Sequence, residues 1–225
     1  MVTIAVLQIP MLLRILVSSM AACFLLASHS AMAEELAVGR FFEEGLTGWE
    51  SKIFHGVTDY KLIPENEKMV VQATSRNAAS GLVKKIDFNP QKYRYLRWSW
   101  KISHPIAAGD ETKKAGDDYA ARIYVVFRGN FFWQTKAINY IWANKLPKGQ
   151  SIANAYTASA MMVAVQSGPQ NGGQWLSEKR DIVADYKKLF GTEPGEASAV
   201  AIRTDTDDTG EQALAWYGDI TLTTD

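Results

Sequence analysis

Polar and apolar residues alternate with a period of two along most of this chain, the spacing of a strand with one dry face. In residues 94–102, Leu96, Trp98, Trp100 and Ile102 share one face, and Tyr95, Arg97, Ser99 and Lys101 share the other. Residues 119–128 repeat the pattern: Ile123, Val125 and Phe127 point one way, Arg122, Tyr124 and Val126 the other. Gly129 and Asn130 then mark a turn. Further strands are expected at 38–42, 50–54, 60–63, 69–73, 81–86, 137–142, 160–166, 199–204 and 213–221. Many short strands rich in β-branched and aromatic residues predict an all-β fold: a two-sheet antiparallel β-sandwich, jelly-roll-like. One stretch departs from it. Residues 181–190 carry Ile182, Tyr186, Leu189 and Phe190 at helical spacing, with Lys187 and Lys188 in the last turn and Gly191 at the C-cap position. They predict one short helix closing an end of the sandwich. The charged, glycine-flanked segment 107–116 is the loop expected to move.

The first 33 residues read differently. Arg14 precedes an uncharged, mostly apolar run from Ile15 to Ala27, and Ala31-Met32-Ala33 forms an A-x-A pattern before Glu34 and Glu35. The run is shorter than the ~20 residues that span a bilayer. The expected organisation is therefore a signal peptide, 1–33, cleaved after Ala33, and a single β domain, 34–225. The expected location is periplasmic or secreted, with no membrane span after cleavage.

Loss of Arg14 with the signal reduces 24 Lys+Arg to 23, against 24 Asp+Glu. A net charge of −1 lacks the basic excess of a nucleic-acid partner. Cys23, the single cysteine, leaves with the signal, which excludes a disulfide, a cysteine nucleophile and a cysteine metal site in the domain. His55 and His104 are isolated, so zinc is not expected, and there is no G-x-S-x-G elbow and no phosphate-binding glycine loop.

Three blocks resemble the bacterial family DUF3047: Trp98-Ser99-Trp100-Lys101 followed by residues 117–127; Arg180-Asp181 with Asp185-Tyr186 and Phe190-Gly191; and residues 204–210 running into Ala215-Trp216-Tyr217-Gly218-Asp219-Ile220. The resemblance departs at Asp208, where the family has Asn. It implies an exported β-rich domain and brings no catalytic residues. At the level of fold, Phe42-Glu43-Glu44-Gly45 with Gly48-Trp49, and Gly218-Asp219-Ile220, are similar to the first and last strands of jelly-roll carbohydrate-binding modules. That similarity implies a structural calcium shared by Glu43 and Asp219.

The candidate ligand-binding residues are Asp117, Asp118, Arg122, Tyr124, Asp205 and Asp207. Strand alternation from 118 to 124 places an acid, a guanidinium and a phenol on one face, a mixture suited to hydroxyl-bearing ligands. The plain alternative is an Asp118–Arg122 ion pair. Residues 205–210 set three carboxylates before a glycine, which reads either as a partial calcium loop or as a turn whose side chains bind backbone amides. Phe131-Phe132-Trp133 is expected to fold inward as a plug, an exposed aromatic tip being the alternative. Non-catalytic binding of a glycan or other small polar ligand is the leading expectation. A carbohydrate hydrolase using Asp118 with Asp205 or Asp207, and an envelope assembly protein, remain open.

Overall fold

The computed structural model describes residues 33–129 and 131–225, and for Phe132 the backbone alone. The expected signal peptide, apart from Ala33, lies outside the described residues. No helix among the described residues is long and apolar enough to cross a membrane.

Among the described residues thirteen strands form two sheets. They are β1 Glu35–Gly39, β2 Trp49–His55, β3 Asp59–Glu65, β4 Lys68–Arg76, β5 Ala79–Phe88, β6 Tyr95–Ile102, β7 Arg122–Phe127, β8 Lys136–Ala143, β9 Ser151–Ala153, β10 Ala160–Ser167, β11 Leu176–Asp181, β12 Ala197–Asp205 and β13 Gln212–Thr223. One sheet runs β11-β6-β13-β4-β3, with β1 also on β13, and the other runs β2-β5-β12-β7-β8-β10-β9. The all-β sandwich is thus observed. All pairings are antiparallel except β8 with β10, which run parallel.

Alternation decides what fills the space between the sheets. Leu96, Trp98, Trp100 and Ile102 of β6 are buried, facing Ile123, Val125 and Phe127 of β7 and Tyr140 and Trp142 of β8. Trp98 meets Tyr140 at 5.4 Å between ring centroids and Trp100 meets Trp142 at 5.9 Å, so aromatic contacts bridge the two layers. β8 is buried on both faces, because Tyr119, Ile141, Ala143, Leu146, Met162 and Ala164 form a second apolar cluster.

The expected helix is α2, Ile182–Phe190. Asp181 caps it by accepting from the Ala184 N–H at 2.9 Å, and Gly191 ends it in the left-handed region at φ 72°. Tyr186 packs on Phe127 at 4.6 Å, which docks the helix on the C-terminal end of β7.

Four expectations are corrected. Residues 38–42 are not one strand: β1 ends at Gly39 beside a bulge, and α1, Phe41–Glu44, follows. The Asp219 carboxylate accepts from the Phe41 N–H at 2.8 Å and starts that turn. Strand β7 starts at Arg122 rather than 119, because residues 117–121 are tied into loop contacts. The segment 107–116 is anchored: Glu211 accepts from the Ala107 and Ala108 N–H groups, and buried Glu111 accepts from those of Asn144, Lys145 and Leu146. Phe131 and Trp133 lie outside the core, stacked parallel at 4.8 Å. β9 and β11 were not expected, the first being too short to show a period and the second too charged.

Candidate functional site

The outer face of the seven-stranded sheet carries a cleft of ≈ 580 Å³. Its floor follows from strand register. Gly81, Arg203 and Arg122 lie opposite one another across β5, β12 and β7, and Val83, Ala201, Tyr124 and Asn139 form the next row. Small side chains at Gly81, Ala201 and Ala160 give the cleft depth. Gly81 is required there, since a Cβ would meet the Ile202 carbonyl oxygen at 2.8 Å. The walls are Lys52 and Phe54 from β2, Asn154, Tyr156 and Thr157 after β9, and Asp207 and Asp208 from the β12–β13 loop.

Two buried layers support the lining. Asp205, fully buried, accepts from the guanidinium of Arg122 and from the Tyr119 N–H at 3.3 Å, and forms an ion pair with Arg203 at 2.9 Å. Arg122 is held between the rings of Tyr119 and Tyr124, at 4.7 and 5.6 Å. Burial opposes its charge, and Tyr124, Asp117, Tyr119 and Asp118 outweigh that, raising its pKa. Burial and then Arg122 lower the pKa of Arg203. Asp118 accepts from the Asp208 N–H and from both the N–H and hydroxyl of Thr209. It thereby fixes the turn that carries Asp207 and Asp208 to the cleft, and the Gly210 N–H closes that turn on Thr206.

The sequence candidates therefore divide. Asp117, Arg122, Tyr124 and Asp207 line the cleft. Asp118 and Asp205 lie behind it as supports. The expectation that 118, 120, 122 and 124 share a strand face is corrected: Asp118 sits in the loop before β7, and Arg122 pairs with Asp205, not Asp118. Asp117 accepts from Asn154 at 2.8 Å and from the Tyr119 hydroxyl at 3.1 Å. Phe54, Asn139, Tyr156 and Arg203 were missed. Arg203 was legible, since it alternates with Ile202 and Thr204 within the expected strand at 199–204.

Phe54 and Tyr156 are the exposed aromatics of the cleft, 58% and 54% accessible. The Arg203 guanidinium stacks on Phe54 at 4.4 Å. Tyr156 donates its hydroxyl to Asp208 at 2.6 Å, and that bond pushes its pKa to about 12. Asp207 titrates above the ordinary aspartate value, first through burial and then through the neighbouring Asp118 charge.

Five buried side-chain polar atoms lack a hydrogen-bond partner among the described residues: Trp98 Nε1, Arg122 Nε, Asn139 Oδ1, Arg203 Nε and Asp207 Oδ1. All but the first belong to residues lining this one cleft. Unpartnered buried polar atoms are uncommon, at ~1–3 kcal/mol each, and their concentration here marks the site.

Among the described residues one group of three or more acids or histidines has converging ligand atoms: Asp118, Asp205 and Asp207, within 4.8 Å of one another. Asp118 is committed to the turn and Asp205 to two arginines, which leaves Asp207 Oδ1 unpartnered. That falls short of the ~6–8 oxygens calcium takes. Glu43 and Asp219 lie apart, lining a cleft of ≈ 750 Å³ beside the other sheet. Asp219 is engaged with the Phe41 N–H, and Glu43 lies 3.5 Å from Arg40.

The chain is similar to the carbohydrate recognition domain of Emp47p, with TM-score 0.44 and 9% identity over 85% of this chain and 96% of that one. It is also similar to the winged bean acidic lectin complexed with methyl-α-D-galactose, with TM-score 0.37 and 10% identity over 85% and 98% of the two chains. The family 11 xylanase from Neocallimastix patriciarum gives TM-score 0.36 and 12% identity over 86% and 97%. None of these likenesses carries a ligand over to this chain. No curated protein matches the sequence. The family model described as "Protein of unknown function (DUF3047)" matches residues 47–221, which takes in both the cleft and the buried acids and arginines behind it, and the chain belongs to that family.

Proposed function

We propose that the cleft binds a neutral, hydroxyl-rich ligand, a glycan, without chemistry on it. The observation that carries this reading is the balance of its unpartnered atoms. Two are donors, Arg122 Nε and Arg203 Nε, and two are acceptors, Asn139 Oδ1 and Asp207 Oδ1. A hydroxyl donates and accepts at once, so a polyol answers both kinds, while a carboxylate answers the donors alone and an ammonium the acceptors alone. The atoms lie beneath the lining surface, so contact requires a small turn of each side chain. Formal charge agrees: Lys52, Arg122 and Arg203 are matched by Asp117, Asp207 and Asp208. Phe54 and Tyr156 supply the flat apolar faces that pack against a sugar ring.

Hydrolysis by Asp118 with Asp205 or Asp207 fits this geometry less well. A glycosidase sets two carboxyl groups on either side of the bond it cuts, and Asp118 and Asp205 stand behind the lining with their oxygens engaged. The proposal extends to export: residues 1–33 direct the domain to the periplasm or the medium.

Glycan-array screening of the exported chain, followed by calorimetry on the hits, tests the reading. Tyr156→Ala and Phe54→Ala each remove an exposed ring and are expected to weaken binding at least tenfold with little change in melting temperature. Absence of binding to any neutral glycan, or affinity indifferent to both substitutions, overturns it.

A further inference from the structure

Among the described residues five strands are hydrogen-bonded on one side only, and they are not equally protected. β1 has five residues, is broken by a bulge between Ala37 and Gly39, and ends in buried Val38 and Gly39. β9 has three residues, β3 carries Pro64, and β11 reads Leu-Ser-Glu-Lys-Arg-Asp. β2 has seven residues and no proline, is hydrogen-bonded on one side only, to β5, among the described residues, and is regular from Trp49 to Ile53, its one bulge lying beyond, between Ile53 and His55. Its neighbourhood is also apolar: Ile53, Phe54 and Val57 are 56%, 58% and 64% exposed. Gly48 and Gly56 flank the strand and leave no side chain in the way of an approaching one.

We infer that β2 is a self-pairing edge, along which two copies of this chain join antiparallel about a two-fold axis through Ser51. The occupant follows from charge and register. Even-numbered residues of β2 face the cleft, where Lys52 and Phe54 line it, and Trp49 packs on the core side. A two-fold axis normal to the sheet keeps those faces in common. Centred on Ser51, it sets Glu50 of each copy opposite Lys52 of the other, and Trp49 opposite Ile53. Centred on Lys52 it would set that lysine against itself, and centred on Ile53 it would set Lys52 against Phe54. Opposite charges directly across a strand pair stabilise it and like charges oppose it, so one register is selected and its neighbours are disfavoured. In the single chain Glu50 contacts Lys85 at 2.8 Å, with both side chains mostly exposed, so exchanging that partner costs little. The contact is isologous and closes on itself. It places two clefts on the same face of one continuous sheet, with Glu50 of the second copy beside the Lys52 wall. It does not depend on what the cleft binds.

A single strand pair buries less than the ~1,600 Å² of a standard interface, so dissociation is expected in the micromolar range. Sedimentation equilibrium of the exported chain from ~1 to 500 μM is the primary measurement, bracketing that range. Lys52→Glu sets two acids face to face and is expected to weaken the dimer at least tenfold; Glu50→Lys with Lys52→Glu restores the opposite pairing and the affinity. In a Cys23→Ser background, Cys23 being the sole cysteine, Ser51→Cys is expected to cross-link under mild oxidant. Lys61→Cys, on the edge strand β3, serves as the control. Circular dichroism and melting curves of each variant establish that it is folded. A monomer throughout the range, a dimer that Lys52→Glu leaves unchanged, or cross-linking as fast at position 61 as at 51 overturns the inference.

Discussion

Asp205→Asn is the sharpest test of how the site is supported. The carboxylate is fully buried and is shared by two guanidiniums, with Arg122 nearly as buried and Arg203 about four-fifths covered. Asparagine keeps the shape and still accepts from the Tyr119 N–H, but it removes the negative charge between two positive ones. Removing one partner of a buried ion pair costs ~3–5 kcal/mol, mostly as the penalty of the charge left behind. For a domain of this size each kcal/mol is worth ~2–4 °C, so the melting temperature is expected to fall by ~6–20 °C. The assay is urea and thermal unfolding followed by tryptophan fluorescence. Asp59→Asn is the control, because its Lys61 pair is exposed on both sides and such pairs are worth ~0–1 kcal/mol. Adding Arg122→Met to Asp205→Asn removes one orphaned guanidinium and places an apolar side chain between Tyr119 and Tyr124, so the double variant is expected to be more stable than Asp205→Asn alone. A loss below ~1 kcal/mol for Asp205→Asn would show that the buried charges are not coupled as described.

Three further outcomes are expected. Glu111→Ala leaves the N–H groups of Asn144, Lys145 and Leu146 without their shared acceptor and is expected to cost about 3 kcal/mol, with faster hydrogen exchange at those amides; unchanged exchange there would refute it. Asp207 has a raised pKa in the folded state, so the fold binds its proton more tightly than the unfolded chain does. Its contribution to stability is therefore present below the ordinary aspartate value and lost as pH rises through the folded one. Asp207→Asn removes that dependence, so the variant should gain on the parent as pH rises from about 4 to 7, and a constant difference would count against it. Intact-mass analysis of exported protein should show Glu34 as the first residue, and a chain retaining residues 15–27 would contradict the signal reading.

Periodicity determined much of this protein. β6 and β7 each owe their place to an unbroken alternation, and burial of Leu96, Trp98, Trp100, Ile102, Ile123, Val125 and Phe127 follows from it directly. The helix at 182–190 was legible for the same reason, since its apolar spacing and its glycine stop are local signals. The outward direction of Arg122 and Tyr124 was legible too. The roles of the acids were not. Asp118 and Asp205 look alike along the chain, but which carboxylate holds a turn and which neutralises two arginines is decided by β12 pairing with β7 and by the return of residues 206–210 over the strand entry. Phe54 and Tyr156 lie about a hundred residues apart on elements that share nothing local, and they become two walls of one cleft through sheet order alone. Alternation is a property of neighbours in sequence, so it settles which face a residue takes. Which residues meet across that face depends on long-range strand pairing, whose register is set by the packed sheets together.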